Sequence, residues 1–290
     1  MTSFRAARAL TVQRPTAARA GARGARLAAN SALAVIGLCF VLPLAWLLLA
    51  SVDPHAGYQT RWPASPSFAN FAAVLTPELL LQPLVNSFLL SAGTAIVNLV
   101  AAVMAAYPLS RYRSRFNKPF MYSILIGTSL PVTAIMVPVY GLFVQLQLLD
   151  SMPATIFFMA TTTLPMAIWM TKNFMDSVPL ELEEAAWMDG ASGPATLRKI
   201  VLPLMRQGLG VVFVFVFIQA WGNFFVPFIL LLTTAKQPAS VSVFSFFGQH
   251  GAIAYGQLAA FSILYSVPVL VLYTVVARGS KFELSPSIAA

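Results

Sequence analysis

The sequence predicts an all-α, polytopic membrane protein, and three observations support this fold class. Of its 290 residues, 58% are hydrophobic and only 9% are charged, and the mean hydropathy is +0.77. Soluble domains carry about 25% charged residues. Six apolar runs, each near the roughly 20 residues that a spanning helix needs, contain no Asp, Glu, Lys, Arg or His. Finally, the basic residues collect in alternate loops, as membrane topology requires.

The six predicted transmembrane helices begin after a basic N-terminal tail, residues 1–28. This tail has no acidic residue, and we expect it to be disordered or to lie on anionic lipid headgroups. The first apolar run favours an uncleaved signal-anchor over a cleavable signal peptide, because it is longer than a signal core and no clean Ala-x-Ala site precedes Asp53. The lone Cys39 within it is expected to be buried. The predicted spans are residues 29–50, 86–109, 120–143, 153–171, 207–233 and 257–277.

The basic residues orient the chain with both termini inside. All but two of the 18 basic residues, the exceptions being Arg61 and Lys236, then fall in cytoplasmic segments. Those segments are the tail 1–28, the loops 110–119 and 172–206, and the C-terminal tail 278–290. In the external loop 51–85, Phe68, Phe71 and Leu75 have helical spacing, which predicts a short amphipathic helix at the outer interface.

The spans hold only uncharged polar residues, for which two interpretations stay open. They either hydrogen-bond helices together, or a few of them line a pathway for a polar, uncharged solute. The sequence does not say which residues would contact a solute. Because no carboxylate or histidine lies within a span, a carrier driven by titration of such a group is disfavoured. The polar set includes Asn86, Ser87, Ser91, Thr94, Asn98, Thr128, Ser129, Thr133, Thr161, Thr162, Thr163, Gln219, Asn223 and Ser262.

Motifs for catalysis by this chain are missing. The sequence contains no G-x-x-x-x-G-K-[ST], no H-E-x-x-H, no G-x-S-x-G and no cysteine cluster. His55 and His250 stand alone in predicted external loops. We therefore expect no catalytic residue, no cofactor and no metal site. The net charge is +9, but the basic residues lie at the borders of apolar runs and do not form one basic stripe. This distribution disfavours a nucleic-acid partner.

The loop 172–206 has an unusual concentration of acidic residues. Five of the nine acidic residues of the chain lie here: Asp176, Glu181, Glu183, Glu184 and Asp189. Ser177 and Pro179 favour a helix start, where carboxylates stabilise the positive helix end. Gly190 is a natural stop, and Ser192-Gly193-Pro194 starts a second helix that carries Arg198 and Lys199. The pattern predicts a cytoplasmic helix–turn–helix.

Two interpretations of this hairpin are consistent with its residues. It is either a capped, solvated hairpin without a partner, or a docking surface for one. Ala185 and Ala186 would allow close approach, while Trp187 and Met188 would supply apolar contact area of the kind enriched at interfaces. The second interpretation accounts for the Trp-Met pair, which the first leaves unexplained.

Residues 184–203 resemble the cytoplasmic signature of ABC-importer permease subunits, E-A-A, three residues, G, nine residues, I-x-L-P. Seven residues match at this spacing: Glu184, Ala185, Ala186, Gly190, Ile200, Leu202 and Pro203. The second span, with its N-S start and A-Y-x-L-x-R end, is similar to the carbohydrate-uptake branch of that family. So is "WGNFFVP", in which Trp221, Phe224 and Pro227 match and Gly222 replaces the usual Asn. The resemblance covers residues 28–278 and is greatest to six-span permeases of the maltose and glycerol-phosphate type.

The resemblance implies a type I ABC importer (MetI-like) fold and a function in the bacterial cytoplasmic membrane. A second permease, expected to be a different chain, would complete the pore, and an extracytoplasmic solute-binding protein would deliver a sugar, oligosaccharide or polyol derivative. Two cytoplasmic ATPases would bind ATP and Mg²⁺ and receive the hairpin as a coupling helix. Glu184 would engage the cleft of the ATPase, the two alanines would allow close contact and Gly190 would permit the turn. The alternatives are a stand-alone facilitator or channel and a non-transport membrane scaffold.

Overall fold

The structure, a computed structural model, describes residues 16–112, 114–129, 131–247 and 253–281. Within these residues the chain is helical, and its only β pairing is one isolated bridge between Phe247 and Ile253. Four helices are long and apolar enough to cross a membrane, and two sharply bent helix pairs bring the number of possible crossings to six. The predicted all-α, polytopic membrane fold is confirmed.

The described part of the chain contains thirteen α-helices, joined by short 3-10 and π turns. In chain order they are α1 (Thr16–Ser51), α2 (Ala69–Val74), α3 (Gln82–Arg111), α4 (Asn117–Gly127), α5 (Val132–Gln145), α6 (Met152–Asp176), α7 (Glu181–Met188), α8 (Gly193–Thr196), α9 (Leu202–Leu204), α10 (Arg206–Trp221), α11 (Phe225–Leu230), α12 (Ala239–Ser242) and α13 (Tyr255–Lys281).

The N-terminal helix differs from the sequence prediction in two ways. It begins at Thr16, so residues 16–28 are helical and not disordered, as their alanine content favours, and their expected position on anionic lipid headgroups stays a prediction. Residues 1–15 lie outside the described residues. Cys39 is exposed and not buried. In the membrane segment Ala29–Ser51, only the last two residues, Ala50 and Ser51, are buried within the chain. Lipid tails are as apolar as a protein core, so an apolar side chain gains little by facing inward.

Two predicted spans are interrupted in the structure. In the run 120–143, α4 and α5 meet at 87°. Pro131, which has an extended backbone, precedes α5, and a proline both lacks a donor and disfavours helix in the residue before it. In the run 207–233, α10 ends at Trp221 and α11 begins at Phe225. Hydropathy alone does not reveal these breaks, because each is at most four residues long and lies between two apolar helices.

The core lies where α3, α6 and α10 pack together. Small buried residues, among them Ala95, Ala102 and Ala167, let the helix backbones approach closely. The amide of Asn98 donates to the carbonyl oxygen of Ala160 and to Thr163 Oγ1, both at 2.8 Å, and so joins α3 to α6. The centre of the fold is therefore a tightly joined helix pair from which the cytoplasmic loops extend.

Polar residues of the second span also tie the helices to the external loops. The hydroxyl of Ser87 accepts a 2.8 Å hydrogen bond from the backbone N–H of Ala239. The Asn86 amide donates to the carbonyl oxygens of Ala235 and Gln237. For Asn86, Ser87 and Asn98, these bonds support the helix-joining interpretation over a pathway role.

The two basic residues on the predicted outer side are both paired with carboxylates. Arg61 Nε lies 2.9 Å from Asp53 Oδ2, and Lys236 Nζ lies 2.8 Å from Asp150 Oδ2. Positive residues are normally enriched on the cytoplasmic side of the membrane, and here each carboxylate offsets the charge of the basic residue that lies outside. Near the first pair, α2 forms where the sequence predicts a short external helix. Phe68 and Leu75 are exposed at its two ends. Asn70 of α2 is buried and donates to the carbonyl oxygens of Ser51 and Asp53.

Asp150 joins the α5–α6 loop to the segment after α11. Its Oδ1 accepts hydrogen bonds from the backbone N–H groups of Leu232 and Thr233, both at 3.0 Å. Its Oδ2 accepts from Thr233 Oγ1 at 2.7 Å and from Lys236. The hydrogen bond from Lys236, followed by those from Thr233, lowers the pKa of the Asp150 carboxyl far below its usual value of 3.8. The folded state therefore favours the ionised form.

We expect Asp150→Asn to lower thermal stability at pH 7, because the amide cannot replace the charged acceptor. A folded-state pKa below the unfolded one gives stability that is present above the unfolded pKa and is lost as the pH falls. The Tm difference between wild type and Asp150→Asn should thus shrink as the pH falls below 3.8. Glu78→Gln, at an exposed carboxylate in the first helical turn after Thr76, is the matched control and should lower the Tm by much less. An equal Tm for wild type and Asp150→Asn at pH 7 would contradict this role.

Candidate functional site

The acidic loop folds into the predicted helix–turn–helix, here called the hairpin, residues 181–204. Its first arm is α7, and its second arm runs from Gly193 through α8, a π turn and α9. The N–H of Ala191 donates to the carbonyl oxygen of Ala186, and the N–H of Gly190 donates to that of Trp187. This pair of bonds is a Schellman motif. It places Gly190 at φ +85°, a backbone conformation that costs glycine little and other residues more.

The hairpin presents an exposed surface on α7. Glu184 and Ala185 are exposed and Ala186 is half-buried. Trp187 is 42% exposed and Met188 is 89% exposed. A short helix with small residues beside uncovered aromatic and thioether side chains is suited to contact another protein, since such large side chains are enriched at interfaces.

The seven signature residues do not form one patch. Glu184, Ala185, Ala186 and Gly190 belong to α7 and its turn, on the outer part of the hairpin. Ile200 and Leu202 are half-buried in the second arm, and Leu202 packs on a buried cluster at the hairpin base. Pro203 lies in the first turn of α9 and is exposed. The first group can reach a partner, while Leu202 helps to hold the second arm on the membrane helices.

The base of the hairpin packs on the ends of α3 and α6. The buried cluster there consists of Ala106, Met175, Val178, Val201 and Met205. Burial of apolar side chains contributes about 25 cal/mol per Å² of area removed from water. Both ends of the hairpin are therefore held by packing, since residues on each side of it are buried in this cluster.

Glu183, next to the signature glutamate, has a role that its place in the sequence does not reveal. Although it lies on a short cytoplasmic helix, it is fully buried. Arg111 Nε at the end of α3 donates to Glu183 Oε1 at 2.5 Å, and Tyr107 Oη donates to Oε2 at 2.9 Å. The side chain of Arg111 is only 8% exposed, and its Nη2 donates to the carbonyl oxygen of Val178 at 3.2 Å. We call Glu183, Arg111 and Tyr107 the anchor.

A second polar contact joins α3 to α6 beside the anchor. Ser110 Oγ donates to Asp176 Oδ1 at 2.6 Å, and Lys172 Nζ lies 2.5 Å from Asp176 Oδ2. One signal for these contacts was present in the sequence. Tyr107 and Arg111 are the Y and R of the A-Y-x-L-x-R end of the second span. The motif named the family without assigning these side chains a partner.

The described residues bring no three His, Cys, Asp or Glu side chains together as a metal site. His55 is engaged through its backbone, since its N–H donates to Asp53 Oδ1 at 2.9 Å. His250 lies outside the described residues.

Comparison with known proteins extends these observations beyond the hairpin. The chain is 28% identical over 261 residues to the trehalose transport system permease protein SugB of Mycobacterium tuberculosis, covering 89% of this chain and 95% of the relative. It is 28% identical over 249 residues to the glucose import system permease protein GlcU of Saccharolobus solfataricus, covering 83% and 87%.

The fold also matches a solved structure, that of a bacterial ABC transporter involved in the import of the acidic polysaccharide alginate. The TM-score is 0.75 at 22% identity, and the match covers 88% of this chain and 96% of the other. The family model described as "Binding-protein-dependent transport system inner membrane component" matches residues 98–281, more than half of the chain. The protein therefore belongs to this family of membrane permease components, as its motifs predicted.

Proposed function

We propose that this chain is the permease subunit of an ATP-binding-cassette importer for a sugar, oligosaccharide or polyol derivative, and that it forms half of the translocation pathway. The family match carries the proposal. The names of the relatives support the solute class, since trehalose, glucose, sulfoquinovosyl glycerol and diacetylchitobiose systems are among them. The absence of charged residues in the apolar runs suits a neutral, hydroxyl-rich solute.

In this proposal the exposed part of α7 docks on a cytoplasmic ATPase. Glu184 engages polar or basic groups of the ATPase, and Ala185 and Ala186 allow the helix to sit close to its surface. Trp187 and Met188 bury apolar area on docking, which would supply most of the affinity. ATP and Mg²⁺ are bound by the ATPase subunits, of which the complete importer contains two.

The anchor gives this docking a mechanical consequence. When the ATPases close on ATP, the hairpin moves with them. Because the Glu183–Arg111 pair joins α7 directly to α3, a displacement of the hairpin pulls on a span that crosses the whole bilayer. The packed α3–α6 pair then moves as one body. A second permease, proposed to be a different chain, and an extracytoplasmic binding protein complete the system in the bacterial cytoplasmic membrane.

The proposal is tested with Glu184→Lys. We expect the complex to assemble, and uptake per ATP hydrolysed to fall about tenfold, the effect of losing roughly 1.4 kcal/mol of coupling. The matched control is Glu181→Lys, the same charge change at another exposed residue of α7. The measurement is uptake and ATPase activity of purified complexes in proteoliposomes, with the binding protein and a panel of labelled sugars.

The outcomes separate the parts of the proposal. Equal coupling in the two variants would refute docking through Glu184. Uptake without ATP by this chain alone would favour a facilitator. If no labelled sugar is taken up but another solute is taken up with ATP hydrolysis, the proposed solute class is wrong and the permease role stands.

A further inference from the structure

A cavity of about 700 Å³ opens where the end of α3, the start of α4 and the end of α6 meet. Small-molecule sites commonly have volumes of about 300–1,000 Å³. The charged side chains of its wall are Arg115, Lys118, Lys172 and Asp176. No residue of the hairpin lines it, so it is separate from the candidate docking surface.

The lining changes from charged to apolar along the helices. On α4, Lys118 is followed by Tyr122 one turn later and by Leu125 one turn deeper. On α6, which runs the other way, Trp169 lies one turn deeper in the membrane than Lys172. At 1.5 Å per residue, each aromatic ring starts about 4–6 Å on the membrane side of its lysine. The lining therefore follows the order of a bilayer interface, with cations on the water side, aromatic rings below them and aliphatic groups deepest.

The cavity carries an excess of positive charge. Its one carboxylate, Asp176, is already engaged by Lys172 at 2.5 Å and by Ser110 Oγ at 2.6 Å. Arg115 and Lys118 are both exposed, and the guanidinium of Arg115 lies 4.9 Å from the centre of the Phe116 ring. Both residues lie in the segment 110–119, which the charge distribution places in the cytoplasm. The cavity thus faces the leaflet in which anionic lipids produce a negative surface potential.

We propose that this cavity binds an anionic phospholipid of the cytoplasmic leaflet. The lipid phosphate pairs with Arg115 and Lys118, the glycerol region lies against Tyr122 and Trp169, and the start of an acyl chain contacts Leu125. A soluble phosphate would satisfy only the basic end. A docking protein would not require the ordered change from charge to apolar surface. Basic pockets between transmembrane helices on the cytoplasmic side are known to hold lipid headgroups.

The position of the cavity links lipid binding to the hairpin. Ser110 and Asp176 line the cavity and bond to each other across α3 and α6. The next residue after Ser110 is Arg111 of the anchor. A bound lipid would therefore brace the same two helix ends that hold α7. This inference concerns the membrane environment and does not depend on which solute is transported.

The test uses the intact, purified complex in nanodiscs of phosphatidylcholine, with or without phosphatidylglycerol, and native mass spectrometry to count retained lipid. The double variant Arg115→Gln, Lys118→Gln should retain phosphatidylglycerol roughly tenfold to thirtyfold more weakly, since each basic residue contributes about one factor of five. The control Arg198→Gln, Lys199→Gln removes two exposed charges outside the cavity and should retain it like wild type.

Three outcomes would overturn the proposal. Equal lipid retention by the double variant and its control would exclude the cavity as the site. If the wild type retains inorganic phosphate as strongly as it retains phosphatidylglycerol, the ligand is a soluble anion and not a lipid. Lipid retention by the isolated permease that disappears in the complete complex would show that a protein partner fills the cavity.

Discussion

Replacing Glu183 by alanine will lower the stability of the permease more than any exposed change in the hairpin. The substitution leaves Arg111 charged, almost fully buried and without its carboxylate. Removing one partner of a buried ion pair costs about 3–5 kcal/mol. We expect a clear drop in the Tm of the purified protein, and a lower uptake per ATP hydrolysed in the population that remains folded.

Two comparisons distinguish an anchoring role from general damage. Asp176→Asn breaks an ion pair in which the carboxylate is 41% exposed, and exposed pairs contribute about 0–1 kcal/mol. Its effect on Tm should therefore be small. Replacing Glu183 by leucine together with Arg111 by methionine removes both charges and should restore much of the Tm, but not the coupling ratio. The anchor assignment is wrong if Glu183→Ala is as stable and as well coupled as Asp176→Asn.

Gly208→Ala will destabilise the packing of α10 on α6. A Cβ at residue 208 would lie 2.4 Å from Cγ and 2.8 Å from Cβ of Phe174, and atoms so near the backbone of α6 cannot move aside easily. Overpacking a filled core costs about 1–3 kcal/mol. Since α10 leads directly out of the hairpin, a shift here should also reduce coupled uptake. The Tm of the purified protein is the primary measurement.

Gly210→Ala is the matched control in the same helix. Its Cβ would lie 3.6 Å from Val276 Cγ1, which is an ordinary contact. Alanine favours a helix over glycine by up to about 1 kcal/mol, so this change should leave the Tm unchanged or raise it. Equal losses in the two variants would mean that the close approach at Gly208 is not what limits the substitution.

Local patterns in the sequence were sufficient to predict several features of this protein. Hydropathy and charge predicted the membrane class, because each spanning helix must by itself be apolar over the thickness of the bilayer. The turn at Gly190 followed from its neighbours, since the Schellman motif is closed by residues at most five apart. The motif at residues 184–203 predicted the family, which the match over residues 98–281 confirmed.

Other features depend on contacts between distant parts of the chain. The breaks at 222–224 and before Pro131 interrupt runs that hydropathy treats as continuous. The pairing of Lys236 with Asp150 joins residues 86 positions apart. Such pairs become visible only when helices are packed, because any carboxylate in a polar loop has many possible partners.

By itself, the sequence determined that this is a helical membrane permease with an exposed cytoplasmic hairpin, because apolar length, charge asymmetry and turn chemistry act over short stretches of chain. Only the tertiary structure decided which glutamate holds the hairpin. Glu183 and Glu184 are adjacent, yet one is buried against Arg111, 72 positions away, and the other is exposed. The difference is physical: a buried carboxylate is stable only where folding delivers a cation and a donor to it.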